Sequence, residues 1–258
     1  MTDHFRLLAV LAHPDDESRI IGGTLATYSA KGVRVAVWLA TRGEASTLLG
    51  DPPICTPEEL VDIRAREMAA AAEALGLAEV RVRDYPDGGL DSVDEARIVG
   101  DIVRATRELR PQVVITFGPE GRTLHPDHIA IHRFATRAFH LAGDPMAYPD
   151  HLGTALAPWT PRKLYYTTVA ASLARETGWR FPATPDEAIT VSLDVAPQLT
   201  AKQRATIEAH RTQYADPPFS NLDEDARWRA LSREDFVLAA SRLHAQPARE
   251  TDLFEGLR

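Results

Sequence analysis

Residues 7–17 read LLAVLAHPDDE, an apolar run that passes directly into a polar turn. The run Leu7–Leu11 is too short for a helix and is typical of a strand buried on both faces. A helical stretch, Ile20–Lys31, follows and ends at Gly32. This strand–turn–helix unit predicts the first step of a parallel sheet, in which polar residues after each strand form the ligand crevice.

The same alternation of strands and helices continues to about Ala142. Strands are predicted at Val33–Leu39, Val80–Val82 and Val113–Phe117, and helices at Pro57–Leu75, Ser92–Leu109 and His128–Leu141. Thr56 is expected to cap the Pro57–Leu75 helix, and Gly76 to end it. The pattern predicts an α/β protein, a Rossmann-like three-layer sandwich with a mostly parallel sheet.

Beyond Gly143 the pattern is punctuated by prolines. Strands are expected at Lys163–Val169 and Ala188–Leu193, and helices at Ala196–Tyr214 and Asp223–Leu243. We expect one domain over 1–258, with a core at about 6–142 and a C-terminal elaboration at about 143–258. The proline-rich segment 143–160 is compatible with a lid, a surface loop or an oligomer contact.

Composition narrows the class of protein. The 258 residues are 44% hydrophobic and 26% charged, which are globular values, and the net charge of −8 argues against nucleic-acid binding. A single cysteine, Cys55, excludes intrachain disulfides and thiolate zinc fingers. No run approaches the roughly 18 apolar residues of a membrane span. We expect a cytoplasmic protein with a small-molecule partner and no membrane partner, and we leave a homo-oligomer open.

Polar clusters follow each of the four predicted strands of the core. They lie at 13–17, 41–44, 84–89 and 118–128. Because the carboxyl ends of parallel strands share one edge of the sheet, we expect these clusters to converge although the chain separates them widely.

Two of these clusters carry the residue types of a metal centre. His13 and Asp16 are three residues apart, and His125 and His128 repeat the spacing. Two imidazoles and a carboxylate are typical of catalytic zinc sites, which leave a position for water. A lone His-Pro-Asp is more often only a turn. The residues alone do not decide whether Asp15 or Asp16 is the ligand; only the spacing favours Asp16.

This residue set is compatible with four functions, three of them enzymatic. A metal that activates water beside a spare carboxylate indicates a hydrolase. Metal-dependent phosphoester hydrolysis is one alternative and predicts two ions per chain, and an amidase acting on a thiol or sugar conjugate is another. A sugar- or nucleotide-binding module is the non-enzymatic alternative, but such a module needs no spare base.

The motifs AHPDDE at 12–17 and HPDH at 125–128 resemble the PIG-L/LmbE-like family of zinc-dependent N-acetylglucosaminyl deacetylases. Weaker collinear matches are the segments 41–44 and 86–89, and Lys202, Ala205, His210 and Gln213. The resemblance extends from about Leu7 to Gln213.

The resemblance implies a role for each matching position. It makes His13, Asp16 and His128 the ligands of one Zn²⁺ per chain, and Asp15 the general base that takes a proton from the metal-bound water. His125, protonated, would stabilise the oxyanion, and Asp127 would orient one imidazole. The implied reaction removes the N-acetyl group of a 2-acetamido sugar or its conjugate. Arg64 and Asp87 are our candidate substrate contacts, with a salt bridge at the rim as the alternative.

The loop before the second motif departs from many relatives. It reads Gly121-Arg122-Thr123-Leu124 and lacks the tyrosine that some relatives use there. Either His125 and zinc suffice for the oxyanion, or another residue such as Tyr148 or Tyr166 reaches the site. Arg122 adds a positive charge near the mouth.

Overall fold

The computed structural model describes residues 5–154, 156–214, 223–244 and 247–257. Within these ranges seven strands form one sheet in the order β3-β2-β1-β4-β5-β7-β6. The strands are β1 Arg6–Leu11, β2 Arg34–Leu39, β3 Glu79–Val82, β4 Val113–Phe117, β5 Lys163–Thr168, β6 Val191–Asp194 and β7 Arg233–Ser241. The α-helices are α1 Asp16–Ala30, α2 Leu60–Leu75, α3 Glu95–Leu109, α4 Gly121–Leu124, α5 Pro126–Leu141, α6 Ala171–Thr177, α7 Leu199–Gln203 and α8 Glu224–Leu231.

The first five strands run parallel, which confirms the predicted α/β class. The chain builds the sheet outwards from β1 through β2 to β3, and then returns to the other side of β1 with β4 and β5. The strand order therefore reverses between β1 and β4. Ligands of doubly wound sheets bind at this point, outside the carboxyl ends of the two strands.

The central strands are buried on both faces, as their unbroken apolar sequences predict. Leu7–Leu11 of β1 are at most 1% exposed, and all of β4 is buried. Side chains on both faces therefore pack against helices, and only the strand ends are left for polar chemistry.

Three predicted helix starts are wrong by three or four residues. Helix α3 begins at Glu95 instead of Ser92. Helix α1 begins at Asp16 instead of Ile20, directly after the polar turn, and it is kinked at Ile21. Helix α2 begins at Leu60, and Thr56 does not cap it. Gly76 does end this helix, with a φ of 67°, a left-handed backbone that glycine adopts without cost.

The helix predicted over Asp223–Leu243 is wrong in its second half. Residues Glu224–Leu231 form α8, but Arg233–Ser241 form β7, which pairs antiparallel with both β5 and β6. The Ala196–Tyr214 segment is helical as far as Ala209, in three successive types of turn, and His210 interrupts it. The C-terminal elaboration thus adds three strands to the same sheet.

Glu234 of β7 explains the kink in α1. Its carboxylate accepts hydrogen bonds from the backbone N–H groups of Gly23 and Thr24, at 3.0 and 2.8 Å. The non-helical Ile21 leaves these donors without their usual acceptors one turn earlier. Lys202 of α7 neutralises the buried carboxylate at 2.7 Å. Residues of the C-terminal third therefore support the helix that follows the HPDD turn.

The described part of segment 143–160 does not lie over the crevice. The indole N–H of Trp159 donates to the carbonyl of Pro111, just before β4 begins. The Arg107 guanidinium on α3 donates to the carbonyls of Ala142, Asp144 and Ala147. These contacts place the segment at the opposite end of the sheet, which excludes a lid for its described residues. No helix in the described ranges has the length and apolar content to span a bilayer.

A fully buried ion pair joins β5 to the C-terminal segment. Lys163 lies 2.7 Å from Glu250, both side chains are at most 1% exposed, and Tyr165 donates to the same carboxylate. We expect Lys163→Met to lower the free energy of unfolding by about 3–5 kcal/mol, because it leaves Glu250 buried without its cation. Urea denaturation measures the effect.

The matched control is an exposed ion pair. Arg137 and Glu95 pair at the surface, so Arg137→Met should cost less than about 1 kcal/mol. If both variants lost the same free energy of unfolding, the buried pair would stabilise the protein no more than the exposed pair does.

Candidate metal centre and active site

The HPDD turn places two predicted ligands at the end of β1. The backbone N–H of Asp16 donates to the carbonyl of His13 at 3.3 Å, and the N–H of His13 donates to Asp16 Oδ2 at 2.8 Å. Two reciprocal hydrogen bonds between His13 and Asp16 thus close the turn. It fixes the imidazole and the carboxylate beside the end of β4, where α5 carries His128 in its first turn.

The three predicted ligands converge. His13 Nδ1 lies 3.3 Å from His128 Nε2 and 3.5 Å from Asp16 Oδ2, and His128 Nε2 lies 3.3 Å from Asp16 Oδ1. Ligands about 2.0–2.1 Å from a tetrahedral zinc ion stand about 3.3–3.4 Å apart. The observed spacing therefore fits a metal ion among these three side chains, and it selects Asp16 over Asp15 as the carboxylate of the cluster.

Hydrogen bonds fix the tautomers of both histidines in the form that a metal needs. His13 Nε2 lies 3.1 Å from Asp127 Oδ2 and 3.0 Å from Asp87 Oδ1. His128 Nδ1 lies 3.1 Å from the carbonyl of Gly121. Because these acceptors take the ring N–H groups, His13 Nδ1 and His128 Nε2 keep their lone pairs for the centre of the cluster.

The charges around the cluster favour a cation. Burial disfavours a charged His13, but its hydrogen bonds to Asp127, Asp16 and Asp87 outweigh burial and raise its pKa to about 12. Burial opposes ionisation of Asp16 too, yet His128 and His13 hold its pKa well below the usual value. The carboxylates around His13 thus favour positive charge at the position where the donor atoms meet.

Asp127 lies behind His13, with its side chain fully buried. Its Oδ2 accepts from the N–H of Gly88 at 2.7 Å in addition to His13, and its Oδ1 accepts from the N–H of Leu90 at 3.0 Å. Burial alone would raise the pKa of Asp127, but its bonds to His13, Leu90 and Gly88 lower it. This carboxylate ties the loop after β3 to the imidazole of His13.

We expect Asp127→Asn to weaken zinc binding by about 10- to 100-fold, because the amide cannot accept every hydrogen bond that orients His13. Competition with a chromogenic zinc chelator measures the affinity. Asp91→Asn is the matched control, since Asp91 is exposed in the neighbouring turn. Unchanged zinc affinity in Asp127→Asn would contradict an orienting role.

Asp15 stands beside the metal cluster in a backbone conformation that is rare for a non-glycine residue, with φ at 120°. Its N–H donates to Glu17 Oε2 at 2.9 Å. The guanidinium groups of Arg64 and Arg19 lie 3.4 and 3.5 Å from its carboxylate. Burial, and then the charge of Asp16, raise the pKa of Asp15 above its usual value.

Glu17 and His210 support this conformation from behind. Glu17 is fully buried, and its Oε1 lies 2.7 Å from His210 Nε2. The last residue of the AHPDDE motif is therefore a link between Asp15 and the C-terminal helical segment. The residue pattern alone does not predict this role of Glu17, although its place in the motif is a signal that it has one.

Arg64 is 3% exposed and binds two loops of the sheet edge at once. Its Nη1 donates to the carbonyl of Gly43 at 2.8 Å, and its Nη2 donates to the carbonyl of Pro14. Gly43 has a φ of 71°, and a Cβ there would lie 2.0 Å from Arg64 Nη1, so only glycine fits. These contacts are those of a residue that holds Asp15 in place, and the predicted substrate contact of Arg64 stays a prediction.

Asp87 also has protein partners at both oxygens. Oδ1 faces His13, and Oδ2 accepts from the N–H of Ala45 at 2.8 Å. The residue lines the cavity, so a substrate contact stays a prediction, and Oδ1 is hydrogen-bonded to the predicted metal ligand His13. Neither predicted tyrosine lines the cavity. Tyr166 bonds to Thr136 at 2.9 Å and Tyr148 packs on Gly100, so the structure does not support the alternative in which one of them reaches the site.

His125 caps α5 and faces the cavity. Its Nδ1 accepts from the N–H of Asp127 at 3.2 Å. Partial burial, and then the neighbouring imidazoles of His128 and His13, lower its pKa. The structure therefore favours a neutral His125 with its proton on Nε2, and not the protonated ring that the resemblance implied.

The cavity that these residues line has a volume of about 570 Å³, well within the range of small-molecule sites. Its inner end contains the metal cluster and Asp15. Its outer wall contains Arg122, Trp179 and Phe181. No motif marks the two aromatic residues, which lie in the proline-punctuated segment, and the sequence offered no signal for them.

A histidine–carboxylate cluster at the switch point of a doubly wound sheet, with a second carboxylate alongside, could hold a metal ion and is typical of metal-dependent hydrolases. The chain belongs to the GlcNAc-PI de-N-acetylase (PIG-L) family, whose sequence profile matches residues 8–139. It is therefore an enzyme of the deacetylase class.

Comparisons with known proteins agree with this assignment. The chain is 35% identical over 292 residues to a 1D-myo-inositol 2-acetamido-2-deoxy-alpha-D-glucopyranoside deacetylase from Rhodococcus opacus (strain B4), covering 98% of each chain. A protein of the same name from Streptomyces avermitilis is 36% identical over 296 residues, covering 98% of this chain and 97% of the relative. The fold is similar to that of N,N'-diacetylchitobiose deacetylase from Pyrococcus horikoshii, with a TM-score of 0.70, 19% identity and coverage of 92% and 84%.

Proposed function

We propose that this protein is a zinc-dependent hydrolase that removes the N-acetyl group of a 2-acetamido-2-deoxyglucosyl conjugate and releases acetate and the free amine. The observation that carries the proposal is the convergence of His13, Asp16 and His128 beside Asp15, which is not part of the ligand cluster. Relatives that align over nearly the whole chain are named for deacetylation of such a sugar.

His13 Nδ1, His128 Nε2 and one oxygen of Asp16 would hold a single Zn²⁺. The donor set supports this ion, because two imidazoles and one carboxylate with no thiolate are typical of catalytic zinc. When bound, zinc lowers the pKa of a coordinated water and polarises a carbonyl oxygen. A cytoplasmic location stays a prediction from the sequence, and a homo-oligomer stays open.

Asp15 acts as the general base in this proposal. Its carboxylate lines the cavity, and Arg64, Arg19 and the N–H bond to Glu17 fix its position. A carboxylate that is fixed close to the ligands but does not join them is free to accept a proton from the attacking water.

His125 supplies the hydrogen-bond donor. Because Nδ1 accepts from the N–H of Asp127, the ring presents Nε2–H to the cavity. This donor would bind the oxygen of the amide carbonyl as negative charge develops there. The proton that Asp15 takes from the water would then pass to the departing nitrogen, because a neutral imidazole is too weak an acid to give up its Nε2–H. An amide needs both steps, since its carbonyl is a weak electrophile and its amine a poor leaving group.

The test is release of free amine from a panel of N-acetylated sugars by metal-stripped and zinc-restored protein. We expect turnover only after zinc is restored, with one zinc per chain by mass spectrometry. Amine release that persists in the stripped protein would contradict the proposal. Two ions per chain together with phosphate release from a phosphoester would favour the phosphoesterase alternative.

A further inference from the structure

Arg122 is anchored in the outer cavity wall by one nitrogen only. Nη1 donates to Thr167 Oγ1 at 3.3 Å and to the carbonyl of Thr168 at 3.1 Å. The guanidinium also lies over the ring of Trp179, with Cζ 5.5 Å from the centroid. Within the described residues these are its hydrogen bonds, so the edge formed by Nε and Nη2 has donors that are not used.

The other cations of the cavity wall are paired. Arg233 binds Asp235 at 2.8 Å and Lys202 binds Glu234 at 2.7 Å. Arg19 lies 3.5 Å from Asp15. In the part of the chain that the structure describes, no carboxylate comes within 4.0 Å of Arg122. Glu234, Asp235 and Asp16 act on the charge of Arg122 only from a distance. Arg122 is therefore a cation of the wall with no carboxylate in contact among the described residues.

The surroundings of Arg122 disfavour its charge without removing it. Burial lowers the pKa of its guanidinium to about 10, so the group stays positive near neutral pH. Burial deprives the positive charge of Arg122 of water. An anion bound to the guanidinium would stabilise that charge in place of the water.

The backbone conformation of Arg122 is also unusual. Arg122 has a φ of 61°, a left-handed conformation that a side chain makes unfavourable. Glycine or asparagine would adopt this conformation at less cost. Leu124, two residues further on, has the same φ, so the whole turn before His125 is strained. Strained turns of this kind cluster at functional sites.

We propose that Arg122, stacked on Trp179, binds an oxyanion, a carboxylate or a phosphate, carried by the aglycone of the acetamido sugar. The free Nε–Nη2 edge of a guanidinium matches two oxygens of such a group in a side-on, bidentate geometry. The inference rests on the proposed deacetylation and adds to it the class of aglycone.

The experiment compares two glycosides that differ in one charge. They are carboxymethyl 2-acetamido-2-deoxy-α-D-glucopyranoside and its uncharged carbamoylmethyl counterpart. With zinc-loaded wild type we expect kcat/KM to be about 10-fold or more higher for the carboxylate, through KM, because a hydrogen bond to a charged group is worth about one decade or more. We expect this ratio to fall as ionic strength rises.

Variants locate the effect. In Arg122→Gln the ratio should fall close to one, and Arg122→Lys should keep part of it, since the charge remains but the fork is lost. Arg175→Gln is the matched control, because Arg175 is exposed on α6 outside the cavity. A ratio near one in the wild type, or a ratio that Arg122→Gln leaves unchanged, would overturn the proposal.

Failure of the proposed function has a different outcome. If the wild type releases amine from neither glycoside, deacetylation of such sugars is refuted. Isothermal titration of the same two glycosides then decides the subsite alone. Tighter binding of the carboxylate in wild type and not in Arg122→Gln supports the subsite, and equal binding overturns it.

Discussion

His13→Ala is expected to abolish zinc binding and, with it, all deacetylase turnover. The substitution removes one of three donor atoms, and it also removes the ring N–H that Asp87 and Asp127 share. Two largely buried carboxylates then face each other without a positive partner. We expect the loss of zinc affinity to exceed the roughly 10- to 100-fold that removal of an orienting partner costs. The measurement is zinc per chain by mass spectrometry after dialysis.

The control for this prediction is another histidine. His140 is exposed on α5 and far from the cluster in the fold, so His140→Ala should keep one zinc per chain and full turnover. A His13→Ala protein that retains zinc at the affinity of the wild type would contradict the ligand assignment. Circular dichroism confirms that the variant is folded before its zinc content is compared.

Asp15→Asn should retain zinc and lose turnover by about 10²- to 10⁴-fold in kcat, because an amide cannot take the proton of the attacking water. Asparagine is close in shape and tolerates a positive φ. Its amide oxygen can keep the hydrogen bond from the buried Arg64, and only the long bond from the exposed Arg19 is lost. The loss therefore reports on proton transfer and not on the shape of the turn. Steady-state kinetics on an N-acetylglucosamine conjugate, with zinc content measured in parallel, checks both parts.

Asp84→Asn is the matched control for Asp15→Asn. Asp84 is an exposed acid at the same edge of the sheet and pairs with Arg42 on the surface. Its replacement should leave kcat within about a factor of two of the wild type, in line with the small effect of exposed ion pairs. If kcat of Asp15→Asn matched that of Asp84→Asn, another residue would have to be the base.

The central sheet could be predicted from the sequence because the apolar composition of these strands reflects their burial on both faces. Leu7–Leu11 and Val113–Phe117 are unbroken apolar runs, and strands covered on both faces need such runs. The metal cluster followed from the same rule, since residues after β1 and β4 must meet if the two strands are neighbours. The backbone closure of the HPDD turn then brought Asp16, and not Asp15, into contact with both histidines.

Strand β7 was not predictable in this way. It begins Arg-Glu-Asp and ends Ala-Ala-Ser, a composition that does not favour a strand. Its pairing partners lie in β5 and β6, between about 40 and 80 residues earlier in the chain. Its buried charges are stabilised by distant groups, such as Lys202 for Glu234 and Ser192 for Asp235. The local sequence pattern of β7 contains no information about these distant pairing partners and stabilising groups.

The contacts of the residues on the substrate side of the cavity could not be predicted from the sequence either. Arg64 and Asp87 were identified as polar residues near the site, but only the structure shows that each is engaged by backbone groups and by site residues. Trp179 belongs to no motif, and its contact with Arg122 joins residues more than fifty positions apart.

The kink in α1 affects which fragments of this enzyme can be expected to keep the geometry of the site. The family profile ends at residue 139, yet Glu234 completes the broken turn of α1, Lys202 neutralises Glu234, and His210 binds Glu17 behind Asp15. A fragment cut after α5 would keep His13, Asp16 and His128 but lose the residues that support the turn before α1. The catalytic unit is thus larger than its recognisable motif, and shortened versions of the chain are unsuitable for kinetic work.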